Sequence, residues 1–141
     1  EALESQARDA GVAARVTFTG LVSNDDVAKY AAVADVFALP SLLEALPTVA
    51  VEALASGTPV VSADHPGGVE LHEIFGDDVL VVPKTNVDGL ATALTDVLAS
   101  PRRVRPATLG LVAHRFGADA VHRAYGELYA GQRSKVRGQS P

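Results

Sequence analysis

The sequence predicts an α/β fold: a parallel sheet with helices on both faces, followed by C-terminal helices. Three observations predict it. Short β-branched runs alternate with longer helical stretches through the middle of the chain. Each run is apolar and closes on Gly, Pro or a polar loop. Beyond Ser100-Pro101 the strand pattern stops and two helical stretches remain.

Four runs read as strands: Arg15–Thr19, Asp35–Leu39, Pro59–Ala63 and Val79–Val82. Asp77-Asp78 reads as the turn before the last of them. Between them, Ser23 with Asp26 three residues later has the spacing of a capping box and opens a helix to Val33. Leu46–Ser56 is helical in composition, with Pro47 as a first-turn proline and Gly57 as the stop. Val87–Ala99 carries apolar residues at 87, 90, 91, 94, 97 and 98, one face of a helix. Two helices over 103–115 and 118–131 break near Phe116-Gly117. Residues 1–131 thus read as one domain and 132–141 as a flexible tail.

With 141 residues and 48% hydrophobic side chains, the chain can build one core but not two ordinary domains. Cysteine is absent, which excludes disulfide scaffolds, thiolate zinc sites and cysteine nucleophiles. No apolar run has the length of a membrane span and no signal peptide opens the chain, so a cytoplasmic location is expected. The chain starts at Glu1 and holds no methionine, the mark of a fragment or a processed product. Its charge is uneven. Residues 1–100 hold 15 acidic and 4 basic side chains; residues 101–141 hold 2 and 8. Eight charges over 41 residues form no dense patch and have no aromatic interleaving, so the basic end reads as a solvated or packing element, not a nucleic-acid arm.

Several chemistries lack their motifs. There is no phosphate loop of the Gly-x4-Gly-Lys-Ser/Thr type, no Gly-x-Gly-x-x-Gly after a strand and no Gly-x-Ser-x-Gly elbow. His72-Glu73 is not followed by a second histidine four residues on. His114 and His122 fall on different helices and read as surface or packing residues. No metal site is expected.

One constellation remains. Pro40-Ser41-Leu42-Leu43-Glu44-Ala45-Leu46-Pro47-Thr48-Val49-Ala50-Val51-Glu52 leaves the second run at its carboxyl end, where open parallel sheets bind ligands. Glu44 stands in the loop before a helix N-terminus, whose free N–H groups and positive dipole suit phosphate. Pro47 removes one of those donors and leaves three. Glu52 is the only charge between Leu46 and Ala55. Two readings stand side by side: a carboxylate in a buried helix, needing partners such as adjacent sugar hydroxyls, or a residue on a thin solvent face or capping a neighbouring helix.

Glu44-x7-Glu52, preceded by Pro40-Ser41 and followed by Ala-Leu-Ala-Ser-Gly-Thr-Pro-Val-Val, resembles the donor-binding half of family 4 glycosyltransferases of the GT-B fold. The likeness runs from Val16-Thr17-Phe18-Thr19-Gly20 through Ala34–Ser41 to Val82, and resumes at Tyr125–Tyr129. It implies a Rossmann-like, partial C-terminal domain truncated at its N-terminal side. It also implies roles. Glu52 holds ribose hydroxyls of a nucleotide-sugar. Glu44, the catalytic candidate, touches the transferred sugar, with Ser41 in the same loop. Backbone groups of Leu46, Pro47, Thr48 and Val49 surround the sugar and distal phosphate, and Gly20 to Val22 meet the base. Departures exist. Ala45-Leu46-Pro47 replaces the family's Gly-Phe-Gly, and Gly67-Gly68-Val69-Glu70 is one residue short of its Gly-Gly-x-Pro-Glu loop, so no role passes to Glu70.

The activity so implied is sugar transfer with retention, without metal or cofactor, in a complete enzyme. The basic residues that neutralise the diphosphate and the acceptor domain would lie upstream, so the chain alone is expected to be inactive. The implied partners are a UDP-, GDP- or ADP-sugar, the missing N-terminal acceptor domain, an acceptor at a membrane surface, and another chain at an exposed sheet edge. The alternatives are a non-catalytic α/β interaction module and a sugar-nucleotide epimerase of the same fold. Strands 35–39, 59–63 and 79–82 should be adjacent and parallel. Strand 15–19, lacking neighbours, has three options: to repack beside 35–39, to pair through another chain, or to be held loosely.

Overall fold

The structure is a computed structural model that describes residues 1–137, with side chains to residue 130. The elements run α1 (Ala2–Asp9), a 3-10 turn (Ala13–Arg15), α2 (Asn24–Val33), β1 (Phe37–Leu39), α3 (Thr48–Ala55), β2 (Val60–Ala63) and α4 (Pro66–Phe75). A second 3-10 turn (Gly76–Asp78) leads to β3 (Val79–Val82), α5 (Val87–Ala99), α6 (Pro106–Phe116) and α7 (Ala118–Arg137). The sheet is parallel in the order β1-β2-β3. Phe37 pairs with Val60 and Val60 with Val79, so the three strands are in step.

β2 is the middle strand and is buried along its whole length. Its Val-Val-Ser-Ala run fits a position covered on both sides. Leu54 from α3, Leu71 and Phe75 from α4, Val60, Val79, Val104 and Val112 form the core. Phe75 meets the ring of Phe116 at 6.1 Å, joining the sheet layer to α6. None of the described helices is long and apolar enough to cross a membrane.

The structure corrects the reading at four places. Residues 15–19 form no strand: Arg15 closes a 3-10 turn, and Val16 to Gly20 run irregular and exposed. A strand needs a partner for its N–H and C=O groups. Among the described residues the sheet ends at β1, so the alternation of Val16 and Phe18 has nothing to pair with. Pro47 is the N-cap of α3, one position before the helix and not in its first turn. Gly67 to Glu70 are not a loop but the start of α4. α7 runs six residues past its expected end, to Arg137; of the tail expected over 132–141, residues 138–141 lie outside the described residues.

The arginines after Pro101 are fasteners. Asp78 is wholly buried, with Arg102 Nη1 at 2.5 Å and Arg105 Nε at 3.0 Å. Thr108 Oγ1 and the Arg105 amide also donate to its carboxylate. Burial works to raise the Asp78 pKa, but the hydrogen bonds from Thr108, Arg102 and Arg105 outweigh it and hold it at about 2. Asp78 thereby caps α6, whose own N-cap Arg105 offers no side-chain acceptor. Arg103 donates to the carbonyls of Ala32, Ala34 and Ser56, the last two of which close α2 and α3. A cation there meets the negative ends of both helix dipoles. The basic segment is thus in part a packing element.

Candidate functional site

β1 ends at Leu39 and the chain turns over Pro40–Pro47 into α3. Leu42 and Leu43 point outward, whereas Ser41 and Glu44 are half-buried. The loop is held from behind by α4. The Gly67 amide donates to the Glu44 carbonyl at 3.1 Å. A Cβ on Gly67 would stand 2.6 Å from both the Ala45 oxygen and Pro47 Cδ, so only glycine lets the loop approach this closely.

α3 opens without a side-chain cap. The Pro47 carbonyl accepts from the Ala50 and Val51 amides at 3.0 and 3.3 Å. Among the described residues, the Thr48 and Val49 N–H groups have no acceptor. Both residues are exposed. Three of the other helices end differently: Ser23 caps α2, His65 caps α4 and Asn86 caps α5, each with its side chain.

Glu52 follows one turn later. Ala50, Val51, Ala53 and Leu54 are buried, while Thr48, Val49, Glu52 and Ala55 form an exposed stripe. Glu52 is therefore on a thin solvent face, the second of the two readings above. Its carboxylate has no protein donor among the described hydrogen bonds. It borders a groove of about 470 Å³ between α3 and α6, walled by Leu109, Val112, Ala113 and Phe116.

The structure thus gathers Glu44, Leu46, Pro47, Thr48, Val49 and Glu52 around one helix end, with Ser41 at the loop's root. Gly20 and Val22 sit in the segment before α2. Gly20 takes φ +63°, Val22 is half-buried, and no hydrogen bond among the described residues ties them to the α3 end. A smaller cavity of about 180 Å³ lies at the strand ends, lined by Pro40, Leu42, Ala63, Val82 and Lys84. The sequence reading missed His65. It is buried, accepts from the Gly68 amide at 2.9 Å and meets Ser62 at 3.1 Å. The one available signal was Pro66, a residue suited to a first helical turn.

The chain is similar to known proteins over most of its length. The family described as "Glycosyl transferases group 1" matches residues 1–109. A GDP-mannose-dependent alpha-(1-6)-phosphatidylinositol monomannoside mannosyltransferase of Mycolicibacterium smegmatis is 37% identical over 126 residues, 84% of this chain and 32% of its own. A D-inositol 3-phosphate glycosyltransferase of Mycobacterium marinum is 35% identical, over 97% of this chain and 32% of its own. The solved sucrose-phosphate synthase of Thermosynechococcus elongatus superposes with a TM-score of 0.84 at 30% identity, covering 94% of this chain and 34% of that one. The chain spans about a third of the length of the curated relatives it matches. The strand–loop–helix arrangement and these matches agree, and the chain belongs to the glycosyl transferases group 1 family.

Proposed function

We propose that this chain is the nucleotide-sugar-binding part of a retaining glycosyltransferase, completed by an acceptor-binding part outside its 141 residues. The observation that carries the proposal is the uncapped N-terminus of α3, flanked by Glu44 and Glu52. Two unengaged amides at the positive end of a helix suit a diphosphate. Glu52 reaches solvent unpaired, with two acceptor oxygens for a pair of ribose hydroxyls. Glu44 lies in the loop on the strand side, within reach of the sugar. Gly20 and Val22 meet the base from the preceding segment.

The chemistry follows from that placement. The bond between the sugar's anomeric carbon and the diphosphate oxygen breaks, and the diphosphate leaves with the electron pair. The acceptor oxygen forms its bond on the same face. Its proton passes to the leaving phosphate. The Thr48 and Val49 amides stabilise part of the charge that develops there. Further positive charge and the oriented acceptor come from outside the chain, so the chain alone does not turn over. No step is assigned to a metal. The first donor to test is GDP-mannose, which the mannosyltransferase relatives use by name. The acceptor named for them is an inositol lipid, which suits a membrane-surface acceptor here.

Calorimetry with GDP-mannose tests the reading, on the chain and on the natural protein that contains it. Glu52→Gln should weaken binding about tenfold or more, the worth of a charged hydrogen bond. Equal affinity for both proteins removes Glu52 from the site.

A further inference from the structure

A chain of contacts runs from the middle strand to Glu44. Ser62 in β2 is buried, and its hydroxyl donates to the Ala63 carbonyl at 3.1 Å. Its oxygen meets His65 Nε2 at 3.1 Å. His65 Nδ1 accepts from the Gly68 amide at 2.9 Å. An accepting Nδ1 carries no proton, so the neutral ring bears it on Nε2 and donates it to Ser62. The amide one residue earlier, Gly67 N–H, donates to the Glu44 carbonyl at 3.1 Å. The two amides are consecutive, so turning one away from its acceptor tilts the other.

The glycine pair makes this possible. A Cβ on Gly68 would stand 2.5 Å from both the Ala63 oxygen and Ser62 Oγ, and one on Gly67 would meet the Ala45 oxygen. His65 is wholly buried, and no step of the proposed donor chemistry uses it. Glu44, for its part, sits between outward-pointing Leu43 and exposed Leu46. The loop around it is held by close packing of Ala45 and Pro47 on Gly67, and Glu44 itself by the Gly67 amide on its carbonyl.

We infer that His65 is a positioning residue for Glu44, acting through the first turn of α4. Its imidazole orients the Gly67-Gly68 amides between β2 and the loop. The Gly67 amide then sets the backbone from which the Glu44 carboxylate reaches the transferred sugar. This inference rests on the reading that Glu44 touches that sugar.

Two measurements test it. Amide hydrogen exchange at Gly67, read by NMR on the 141-residue chain, reports the clamp itself. The ratio of GDP-mannose to GDP affinity, read by calorimetry, reports the contribution of the sugar. His65→Ala should speed Gly67 exchange about tenfold or more. It should also remove most of the sugar's contribution while GDP affinity stays within about twofold. His65→Asn should restore both, because asparagine accepts the same amide as an N-cap. Unchanged exchange in His65→Ala overturns the inference. So does equal loss in His65→Asn, which would assign the effect to the bulk of the ring. Should His65→Ala fail to fold, His65→Asn decides: slow exchange with the sugar's contribution intact sustains the inference, and loss of both overturns it. Glu44→Gln separates the two layers. If it loses the sugar's contribution and His65→Ala keeps it, only the inference falls. If Glu44→Gln keeps it, the reading of Glu44 falls and the inference with it.

Discussion

The helices α3 and α4 leave neighbouring strands at the same end of the sheet, yet their N-termini are finished in opposite ways. In α4, Pro66 has no N–H, Gly67 donates to Glu44, Gly68 to the His65 ring and Val69 to the His65 carbonyl. Each early donor is used inside the protein. In α3, the Thr48 and Val49 amides are used by nothing described, and the residue before them is a proline that cannot cap with its side chain. Leaving helix donors unmet where a cap was available gives up about 1 kcal/mol. The contrast separates a helix end whose donors are used inside the protein from one whose donors are not, the end at which the proposed function places the diphosphate.

The largest test of that contrast lies at a third closed terminus, the start of α6. Asp78→Ala should cost about 3 kcal/mol in urea unfolding, the lower end for a buried ionic partner because Arg102 and Arg105 are themselves partly in solvent. The pH dependence follows from its lowered pKa. The stabilisation is complete above about pH 4, the unfolded value, and is lost as pH falls through about 2, the folded value. An acid unfolding curve unchanged by Asp78→Ala would refute this. Next in size, Gly68→Ala should cost about 2 kcal/mol, because its Cβ meets buried backbone that cannot yield freely. Asn86→Ala, which removes the cap on the Gly89 amide, should cost about 1 kcal/mol. Smallest of all, Glu52→Gln should leave unfolding within about 0.5 kcal/mol of the parent, since the exposed carboxylate supports nothing in the fold. A marked loss of stability there would make Glu52 a structural residue and blur the distinction between the two helix ends.

What the sequence showed depended on how local the cause was. α5 has its expected bounds, Val87 to Ala99, because a helical stripe and an asparagine cap are short-range features. The three strands that pair were legible as apolar runs, and they are adjacent and parallel as expected. The run at 15–19 also alternates β-branched and aromatic residues but has no partner strand among the described residues, and pairing is not a property of the run itself. α4 was hidden because its first turn is Pro-Gly-Gly, poor in helix propensity; His65 and close packing on Ala63 and Ala45 compensate. Asp78 looked like half of a turn. Its partners come 24 to 30 residues later, so its burial could not be read from neighbours. At the candidate site, Glu44 and Glu52 were singled out by a loop at a strand's carboxyl end, a lone charge in an apolar helix and the family resemblance, and both lie by the start of α3. Whether Glu52 faced solvent was left between two readings, since the alanines and valines around it suit a buried and a half-exposed helix alike.

Arg103 joins segments that are made at different times. It ties off carbonyls 69 and 71 residues earlier in α2 and its cap, and one 47 residues earlier after α3. A ribosome adding about 5–20 residues each second releases both helices several seconds before the guanidinium that joins their ends. Before then α2 and α3 are joined by the packing of Ala31 in one cluster with Ala53 and Leu54, and by the Thr58 hydroxyl on the Ala31 carbonyl. The nascent chain thus passes through an interval in which α2 and α3 are made but their carbonyl ends are not yet tied by Arg103, and a pause in translation before residue 103 would prolong it.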